Sequence, residues 1–235
     1  MAPREPTSAD EELLEADTTA ILSQLSDEAR VERIADELRL GFRTLSPVGK
    51  AVSIFGSART PRDSSEYAAA RDLAARFGRE GFAIITGGGP GVMEAGNRGA
   101  VDVGALSIGL GIELPMEQGM NDWVRTGLEF HYFFTRKVMF VRYASAFVVY
   151  PGGFGTLDEL FEALTLRQTE KIRHFPVVLV GSEFWGGLVD WLSGPMLEGG
   201  KIAPVDVERI QVVDDPDEVL EIVRAADHRR PRSVA

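Results

Sequence analysis

Short apolar runs rich in β-branched residues alternate with helix-forming patterns along most of the chain. This alternation predicts a parallel sheet with helices on both faces, because parallel neighbours need a long crossover connection, which is usually a helix. The predicted strands are 51–55, 82–86, 106–110, 146–150, 176–180 and 210–213, and 130–134 is a further candidate for a short strand. The predicted helices are 64–79, 135–143, 157–169, 184–198, 216–226 and one that begins near Val92. We therefore predict the α/β class, a three-layer sandwich with a mostly parallel sheet.

An extra N-terminal helix is predicted before the first strand, over residues 27–44. Its apolar residues recur at helical spacing: Val31, Ile34, Ala35, Leu38, Phe42 and Leu45. Such a helix is expected to pack on the sheet or on a second subunit. Residues 1–17 are acidic with two prolines and are expected to be disordered, and 227–235 are expected to form a loose basic tail. A single domain, residues 18–226, is predicted between these ends.

The net charge is strongly negative, −11 from 25 Lys and Arg against 36 Asp and Glu. An acidic surface repels nucleic-acid backbones, so we expect no nucleic-acid partner. An anionic ligand must then be attracted by local cations and backbone amides rather than by the field of the whole protein. The position of each Arg near a glycine turn is therefore informative.

Several classes of site and location are disfavoured by composition. The absence of Cys excludes disulfides, thiolate zinc sites and a Cys nucleophile. His131, His174 and His228 are scattered without metal-ligand spacing, so we expect no metal site. No apolar run reaches membrane-spanning length, and the N-terminus lacks the basic start and apolar centre of a signal peptide. We expect a cytoplasmic protein without a membrane partner.

Small, glycine-rich turns follow three of the predicted strands, at 56–59, 87–91 and 151–156. In open α/β sheets, ligands bind outside the carboxyl ends of the strands, near the point where the strand order switches. These three turns are therefore expected to converge on one cleft.

The turn at 151–156 carries the strongest signal for a ligand. It follows an apolar strand and leads into a helix that we expect to start at Thr156. Uncovered backbone N–H groups and the helix dipole favour an anion at such a start. Gly152, Gly153 and Gly155 leave space for a phosphate to come close. We predict that this turn is a phosphate cradle.

Thr156 and Glu159 have a second, structural interpretation. Their spacing fits a capping box, in which the Glu side chain only binds the backbone at the helix start. Such boxes are common and need no ligand. The spacing alone leaves both roles of Glu159 open.

The turn at 87–91 raises the alternative of a dinucleotide-binding Rossmann enzyme, whose fingerprint is GxGxxG. Counting from Gly87 puts Val92 at the third glycine position, and counting from Gly89 puts Glu94 there. Glu113, after the third predicted strand, fits the ribose-binding acid of such enzymes. The alternative is weakened and stays open.

Two cations precede the cradle strand. Arg136 and Lys137 begin a predicted helix, where positive charge is unfavourable for the helix dipole, so a bound anion would explain them. A solvated surface pair is the other explanation. Glu113 and Glu117 lie in a proline-containing connection that is long enough to close a cleft.

These residues resemble those of a known family. The segment 151–159, PGGFGTLDE, is similar to the PGGxGTxxE signature of the LOG ("lonely guy") family. Residues 136–137, followed by Met139, resemble its RKxxM element, and residues 87–93 resemble its GGGxxGxM element. The motifs keep the family's order, and the resemblance spans about residues 53–197.

The resemblance implies a Rossmann-like fold and a homodimer or larger assembly. It also implies hydrolysis of the N-glycosidic bond of AMP or cytokinin riboside 5′-monophosphates, which yields free base and ribose 5-phosphate. The extra N-terminal helix is similar to that of the family's longer bacterial variants. Such proteins are often labelled possible lysine decarboxylases, but no lysine environment for a pyridoxal Schiff base stands out, and we expect no cofactor.

Residue by residue, the resemblance implies that Arg136 and Glu159 are catalytic and that Lys137, Glu117 and Thr165 lie in the substrate pocket. The remaining predicted substrate-binding residues lie in the glycine-rich turns and the helix start: Gly56, Ser57, Gly88, Gly89, Gly152, Gly153, Phe154, Gly155, Thr156, Leu157 and Asp158. A second class of function also stays open, a non-catalytic nucleotide or nucleotide-cofactor binding or carrier protein, because a fold does not determine a function.

Overall fold

The computed structural model describes residues 8–15, 26–114, 119–172 and 175–227. Within these ranges the strands form one seven-stranded sheet in the order β4-β3-β2-β1-β5-β6-β7, and all neighbouring pairs are parallel. The strands are β1 (Ala51–Phe55), β2 (Ala83–Thr86), β3 (Ser107–Ile112), β4 (Thr126–Phe130), β5 (Ala146–Val149), β6 (Val177–Leu179) and β7 (Ile210–Val212). The predicted α/β class with a mostly parallel sheet is confirmed.

Helices cover both faces of the sheet and create two separate cores. They are α1 (Ala9–Glu15), α2 (Asp27–Leu45), α3 (Ser65–Arg79), α4 (Val92–Asp102), α5 (Phe133–Tyr143), α6 (Phe154–Gln168), α7 (Ser182–Trp191), α8 (Pro204–Glu208) and α9 (Pro216–Asp227). One core joins the sheet to α2, α5, α6 and α7, and the other joins it to α3, α4 and α9. Among the described residues, no helix combines the length and the apolar character that a membrane span requires.

The candidate strand at 130–134 is wrong. Phe130 is the last residue of β4, and Phe133 already begins α5. β4 lies at the edge of the sheet, and its sequence TGLEF buries Leu128 and Phe130 while Glu129 is exposed. Such an edge strand alternates between apolar and polar residues, so it lacks the continuous apolar run that marks the central strands.

The extra N-terminal helix is confirmed as α2, and its buried face matches the predicted one only in part: Leu45 is fully buried and Leu38 packs against the core. Val31 and Phe42 are 61% and 37% exposed, whereas Glu37 and Gly41 are buried. A side chain at Gly41 would meet the sulfur of Met139 at 2.6 Å, so the glycine lets α2 pack closely on α5. The helix therefore packs on α5 of its own chain.

The ends of the chain are described only in part. Within residues 1–17, which are expected to be disordered, residues 9–15 form α1. Residues 1–7 and 16–25 lie outside the described ranges, as does nearly all of the expected basic tail. The predicted domain bounds, 18–226, stay a prediction.

The strand order switches between β1 and β5. Strands β1 to β4 follow one another toward one edge of the sheet, and β5 to β7 follow one another toward the other edge. The turns after β1 and β5 stay in contact, because Ser57 N–H donates to the carbonyl of Pro151 at 2.9 Å. The carboxyl ends of these two strands therefore flank the crevice in which α/β proteins bind ligands.

Alanine at Gly99 should destabilise the fold. A side chain at this position of α4 would overlap the backbone carbonyl of Arg71 in α3, so the two helices would have to separate. We expect the free energy of unfolding to fall by about 1–3 kcal/mol in urea denaturation.

The control is Gly186→Ala in α7, where a side chain would meet no atom within 4 Å. Alanine favours a helix over glycine, so this variant should gain up to about 1 kcal/mol. Equal stability of the two variants would contradict the close packing of α3 and α4.

Candidate active site

A cleft of about 900 Å³ opens at the carboxyl ends of the central strands. Its volume lies within the range of small-molecule and cofactor sites. All three glycine-rich turns contribute to its wall, as the sequence predicted. The described residues that line it are Phe55, Gly56, Ser57, Ala58, Arg59, Gly87, Gly89, Met93, Gly111, Ile112, Glu113, Leu114, Gly119, Met120, Glu129, Phe133, Arg136, Gly153, Phe154, Gly155, Thr156, Asp158 and Glu159.

Most predicted site residues belong to this wall: Gly56, Ser57, Gly89, Arg136, Gly153, Phe154, Gly155, Thr156, Asp158 and Glu159. Other predicted residues that the structure describes are not part of it: Gly88, Lys137, Gly152, Leu157 and Thr165. Leu157 packs against the core, and the Thr165 hydroxyl donates to the Phe161 carbonyl at 2.7 Å within α6. Glu117 lies outside the described residues.

The turn after β5 leaves the N-terminus of α6 accessible from the cleft. Gly153 is the N-cap, and no side chain of the described residues caps this helix. A side chain at Gly153 or Gly155 would meet no atom within 4 Å, so these glycines leave room for a ligand. Gly152 acts differently, because a side chain there would overlap Thr156. The helix start therefore combines open space with the N–H groups and dipole that favour an anion.

The capping-box interpretation of Thr156 and Glu159 is wrong. α6 begins at Phe154, so Thr156 lies inside the first turn and is not the N-cap. Glu159 consequently lies in the second turn instead of the first, too far along the helix to bind its start. The local sequence favoured Thr156 because a hydroxyl residue is the usual N-cap, whereas here the glycine turn continues directly into the helix.

Glu159 is a buried carboxylate, 5% exposed, at the wall of the cleft. Its Oε2 atom has no hydrogen-bond partner among the described residues. Burial raises the pKa of Glu159 to about 7, although the charges of Arg136 and Lys137 act to lower it. A group with this pKa exchanges protons near neutral pH, as a general acid or base must. A buried carboxylate with a raised pKa and an oxygen that lacks a hydrogen-bond partner is, in a cleft, typical of a functional site.

Arg136 is held in place at the same cleft. Its Nε donates to the carbonyl of Leu110 at 2.7 Å, and its guanidinium lies 5.1 Å from the ring of Phe140. A side chain at Gly87 would meet the Arg136 Nη2 atom, so this glycine makes room for the guanidinium. The cation is therefore fixed between β3, α5 and the glycine turn after β2.

Lys137 is occupied by carboxylates of the protein. Its Nζ lies 2.8 Å from Asp158 and 2.9 Å from Glu162, which are on α6. Lys137 therefore links α5 to two carboxylates of α6, one before and one after Glu159 in the sequence. A bound anion is thus not needed to explain this cation at the start of α5, and the predicted contact of Lys137 with substrate stays a prediction.

The glycine turn after β2 is fixed by two asparagines that the sequence analysis did not single out. The amide of Asn121 donates to the carbonyls of Gly88 and Gly89 at 2.9 and 3.0 Å, and to Asn97 Oδ1 at 2.9 Å. Asn97 is fully buried and accepts a hydrogen bond from Thr86 at 2.6 Å. Single asparagines carry no recognisable motif, so only the tertiary structure reveals this network.

Among the lining residues that were not predicted as site residues, Arg59 and Met120 add chemistry to the wall. Arg59 follows the first glycine turn and adds an exposed cation to the cleft. Its position after a glycine turn was a usable signal in so acidic a chain. Met120 contributes an apolar surface, and it packs over the glycines of β3 and β4, where a side chain at Gly127 would meet its sulfur at 2.7 Å.

The structure does not support the dinucleotide-binding alternative. The fingerprint of that fold follows the first strand and places pyrophosphate at the next helix N-terminus. Here the turn 87–91 follows β2, and the first N–H of α4, from Val92, donates to the Ser57 carbonyl at 3.0 Å. Gly91 has φ +65°, and a side chain there would overlap the same carbonyl. This turn therefore packs against the turn after β1.

Glutamine at Glu159 should stabilise the protein at high pH. The native pKa is about 7 against an ordinary 4.5, so the native state binds the proton more tightly than the unfolded state. Wild-type stability therefore falls as pH rises from about 4.5 to about 7. At about 1.36 kcal/mol per pKa unit, the loss above pH 7 reaches about 3 kcal/mol. Glu159→Gln should exceed wild type near pH 8 and match it near pH 4.5 in urea denaturation.

The control for this comparison is Glu221→Gln, an exposed position on α9. It should not change the pH dependence of unfolding. If Glu159→Gln raised the free energy of unfolding equally at both pH values, the raised pKa of a buried Glu159 carboxylate would be contradicted.

Sequence comparisons connect the chain to known proteins. A family model described as "Possible lysine decarboxylase" matches residues 93–223, more than half of the chain. A cytokinin riboside 5′-monophosphate phosphoribohydrolase of Mycobacterium tuberculosis is 42% identical over 91 residues, which cover 36% of this chain and only 45% of that protein. A protein of the same name from Rhodococcoides fascians is 24% identical over 182 residues, which cover 76% of this chain and 91% of that protein.

A comparison of structures shows the same fold in a solved protein. The molybdenum cofactor carrier protein of Chlamydomonas reinhardtii matches with a TM-score of 0.57 and 20% sequence identity. The match covers 76% of this chain and 98% of that one. At such low identity the likeness shows the fold alone.

Proposed function

Because the chain belongs to the LOG family, we propose that it is a nucleoside 5′-monophosphate phosphoribohydrolase. It hydrolyses the N-glycosidic bond of AMP or of cytokinin riboside 5′-monophosphates and releases free base and ribose 5-phosphate. Relatives named cytokinin riboside 5′-monophosphate phosphoribohydrolase support this reaction class. The observation that carries the proposal is the buried carboxylate of Glu159, whose Oε2 has no hydrogen-bond partner among the described residues, beside an open helix N-terminus.

The proposed chemistry needs a carboxylate near the sugar. The C1′–N bond breaks with its electron pair going to the base, and a water oxygen forms the new bond to C1′. The sugar ring develops positive, oxocarbenium-like charge, which a nearby carboxylate stabilises. Ionised Glu159 also takes the proton that the attacking water loses, while the departing base takes up one proton.

The proposed position of the 5′-phosphate is the N-terminus of α6, beside Gly153 and Gly155. The free space at both glycines and the lack of a capping side chain support this placement. A phosphate and a carboxylate in one site repel each other. Arg136 and Arg59, which both line the cleft, supply the compensating cations.

We do not extend the decarboxylase description of the family to this chain. That chemistry commonly uses a lysine to form a Schiff base with pyridoxal phosphate. Among the described residues that line the cleft there is no lysine, and Lys137 beside it is paired with two carboxylates.

Loss of either proposed catalytic side chain should abolish most of the turnover. Without its general base, Glu159→Gln should release adenine from AMP about 10²–10⁴ times more slowly than wild type. Arg136→Ala should also lose most turnover, because the site loses a cation that offsets the phosphate and the carboxylate. Chromatography of free adenine measures the rates, and circular dichroism checks that the variants are folded.

The pH dependence provides a second test of the same residue. With a pKa of about 7 for Glu159, the wild-type kcat/KM should rise with pH up to about 7 and then level off. Glu159→Gln should lack this rise, whereas the exposed control Glu221→Gln should keep it. Near wild-type turnover in Glu159→Gln would show that the assigned role is wrong.

Alanine at Gly155 should weaken binding of the phosphate without unfolding the protein. The added methyl group meets no protein atom, but it occupies the space proposed for the phosphate. We expect the KM for AMP to rise at least about tenfold, which corresponds to about 1.4 kcal/mol. The unobstructed control Gly186→Ala should keep the wild-type KM, and an unchanged KM in Gly155→Ala would rule out this phosphate position.

A carrier that binds a nucleotide or nucleotide cofactor without turnover is the second candidate. It is favoured by one observation, that a solved protein of the same fold is named a molybdenum cofactor carrier. Incubation with AMP separates the candidates. An enzyme releases free base, whereas a carrier shows only a ligand-dependent rise in melting temperature. Repeating the assay with prenylated AMP and other nucleoside monophosphates identifies the preferred base.

We also propose that the protein acts as a homodimer or larger homo-oligomer. Large apolar side chains are exposed on both helices that hold the catalytic candidates: Phe134, Val138, Phe154 and Phe161. Phe154 is 92% exposed in the isolated chain, which is unfavourable in water. Sedimentation at several concentrations tests this assembly, and the cytoplasmic location expected from the sequence stays a prediction.

A further inference from the structure

The start of α5 is held by a carboxylate from the N-terminal helix α2. Glu37 is 7% exposed, and its Oε1 accepts a hydrogen bond from the backbone N–H of His131 at 2.9 Å. The same oxygen lies 2.7 Å from the Nδ1 of the His131 ring. Its Oε2 accepts a hydrogen bond from the hydroxyl of Thr135 at 2.6 Å. Both oxygens of one buried side chain therefore hold residues 131–135.

A second carboxylate acts at the same place. Asp10 of α1 accepts a hydrogen bond from the backbone N–H of Phe133, the first residue of α5, at 3.2 Å. The N-cap residue Tyr132 provides no side-chain cap. The first N–H groups of a helix lack partners within the helix, and negative charge is favourable there. The N-terminal helices thus do for α5 what a local N-cap residue usually does.

These contacts lie next to the proposed catalytic cation. Arg136 directly follows Thr135, which is fully buried and joined to Glu37. The bond to Glu37 therefore fixes both the start and the rotation of the helical turn from which Arg136 reaches the cleft. On the side of the cleft, His131 Nε2 lies 3.8 Å from the carboxylate of Glu113, which lines the wall.

We infer that Glu37 is a positioning residue for the proposed reaction, acting through Thr135 and His131 to hold Arg136. The inference rests on the proposed function, and it assigns the N-terminal helix a part in turnover. Displacement of a catalytic group by about 1 Å can reduce a rate about 100-fold. Loss of the contacts of Glu37 should therefore have a measurable effect on turnover.

The test compares kcat and KM for AMP in the full chain at a temperature at which all variants are folded. Glu37→Ala removes both acceptors and should lower kcat about tenfold or more. Its KM should change less than its kcat, because the open N-terminus of α6 is intact and only the Arg136 cation shifts. Glu37→Gln should keep most of the rate. Its amide oxygen still accepts a hydrogen bond from His131, and its NH₂ group can donate to the Thr135 hydroxyl. That hydroxyl can in turn donate to the Tyr132 carbonyl, which lies 2.8 Å from it in the wild-type structure.

Two controls separate positioning from general destabilisation. Glu32→Ala removes an exposed carboxylate from the same helix, and Val223→Ala opens a cavity in the core on the opposite face of the sheet. Both should keep the wild-type kcat. A wild-type kcat in Glu37→Ala, or a Glu37→Gln variant as slow as Glu37→Ala, would overturn the inference.

A separate result would overturn the proposed function: wild-type protein that releases no base from any nucleoside monophosphate. In that case, amide hydrogen exchange of residues 131–136 tests the positioning role of Glu37. Exchange there should be faster in Glu37→Ala than in wild type and Val223→Ala. Unchanged exchange would overturn the positioning role of Glu37.

Discussion

The burial of one carboxylate is the constraint around which the site is arranged. Removal from water raises the pKa of Glu159 to about 7, and the neighbouring cations reduce this penalty without cancelling it. Both cations also have partners other than this carboxylate. Arg136 is bound to the Leu110 carbonyl, and Lys137 is bound to Asp158 and Glu162. The Oε2 atom of Glu159 has no hydrogen-bond partner among the described residues, and a buried carboxylate with a raised pKa in a cleft is typical of a functional site.

Glycines give this arrangement its shape in two different ways. Some allow protein groups to approach one another, as at Gly87 beside Arg136 and Gly91 beside Ser57. Others, Gly153 and Gly155, border empty space at the start of α6. Only glycines of the second kind leave room for a ligand. At glycines of the first kind, a neighbouring protein atom already occupies the space that a side chain would fill. This distinction locates the proposed phosphate site at α6 rather than at the turn after β2.

The N-terminal helices α1 and α2 contribute carboxylates to the helix start that carries Arg136 and Lys137. The start of α5 carries two cations, which its own dipole disfavours, and carboxylates from α1 and α2 lie at that start. A segment that precedes the first strand therefore stabilises a helix on which the site depends. Its buried face therefore includes the charged residues Arg30 and Glu37 beside Leu45, whereas a helix that only covers a sheet would bury an apolar stripe.

Local sequence determined the parallel α/β order, six of the strands, the convergence of three glycine turns and ten of the described residues that line the cleft. These features follow from periodicity and turn residues within a few positions, and so they can be read without the fold. The tertiary structure decided the edge strand β4, the start of α6, the pairing of Lys137 and the burial of Glu37. Glu37 and His131 are 94 positions apart in the sequence. The burial, partners and pKa of an ionisable group depend on residues that only folding brings together, so no local pattern contains them.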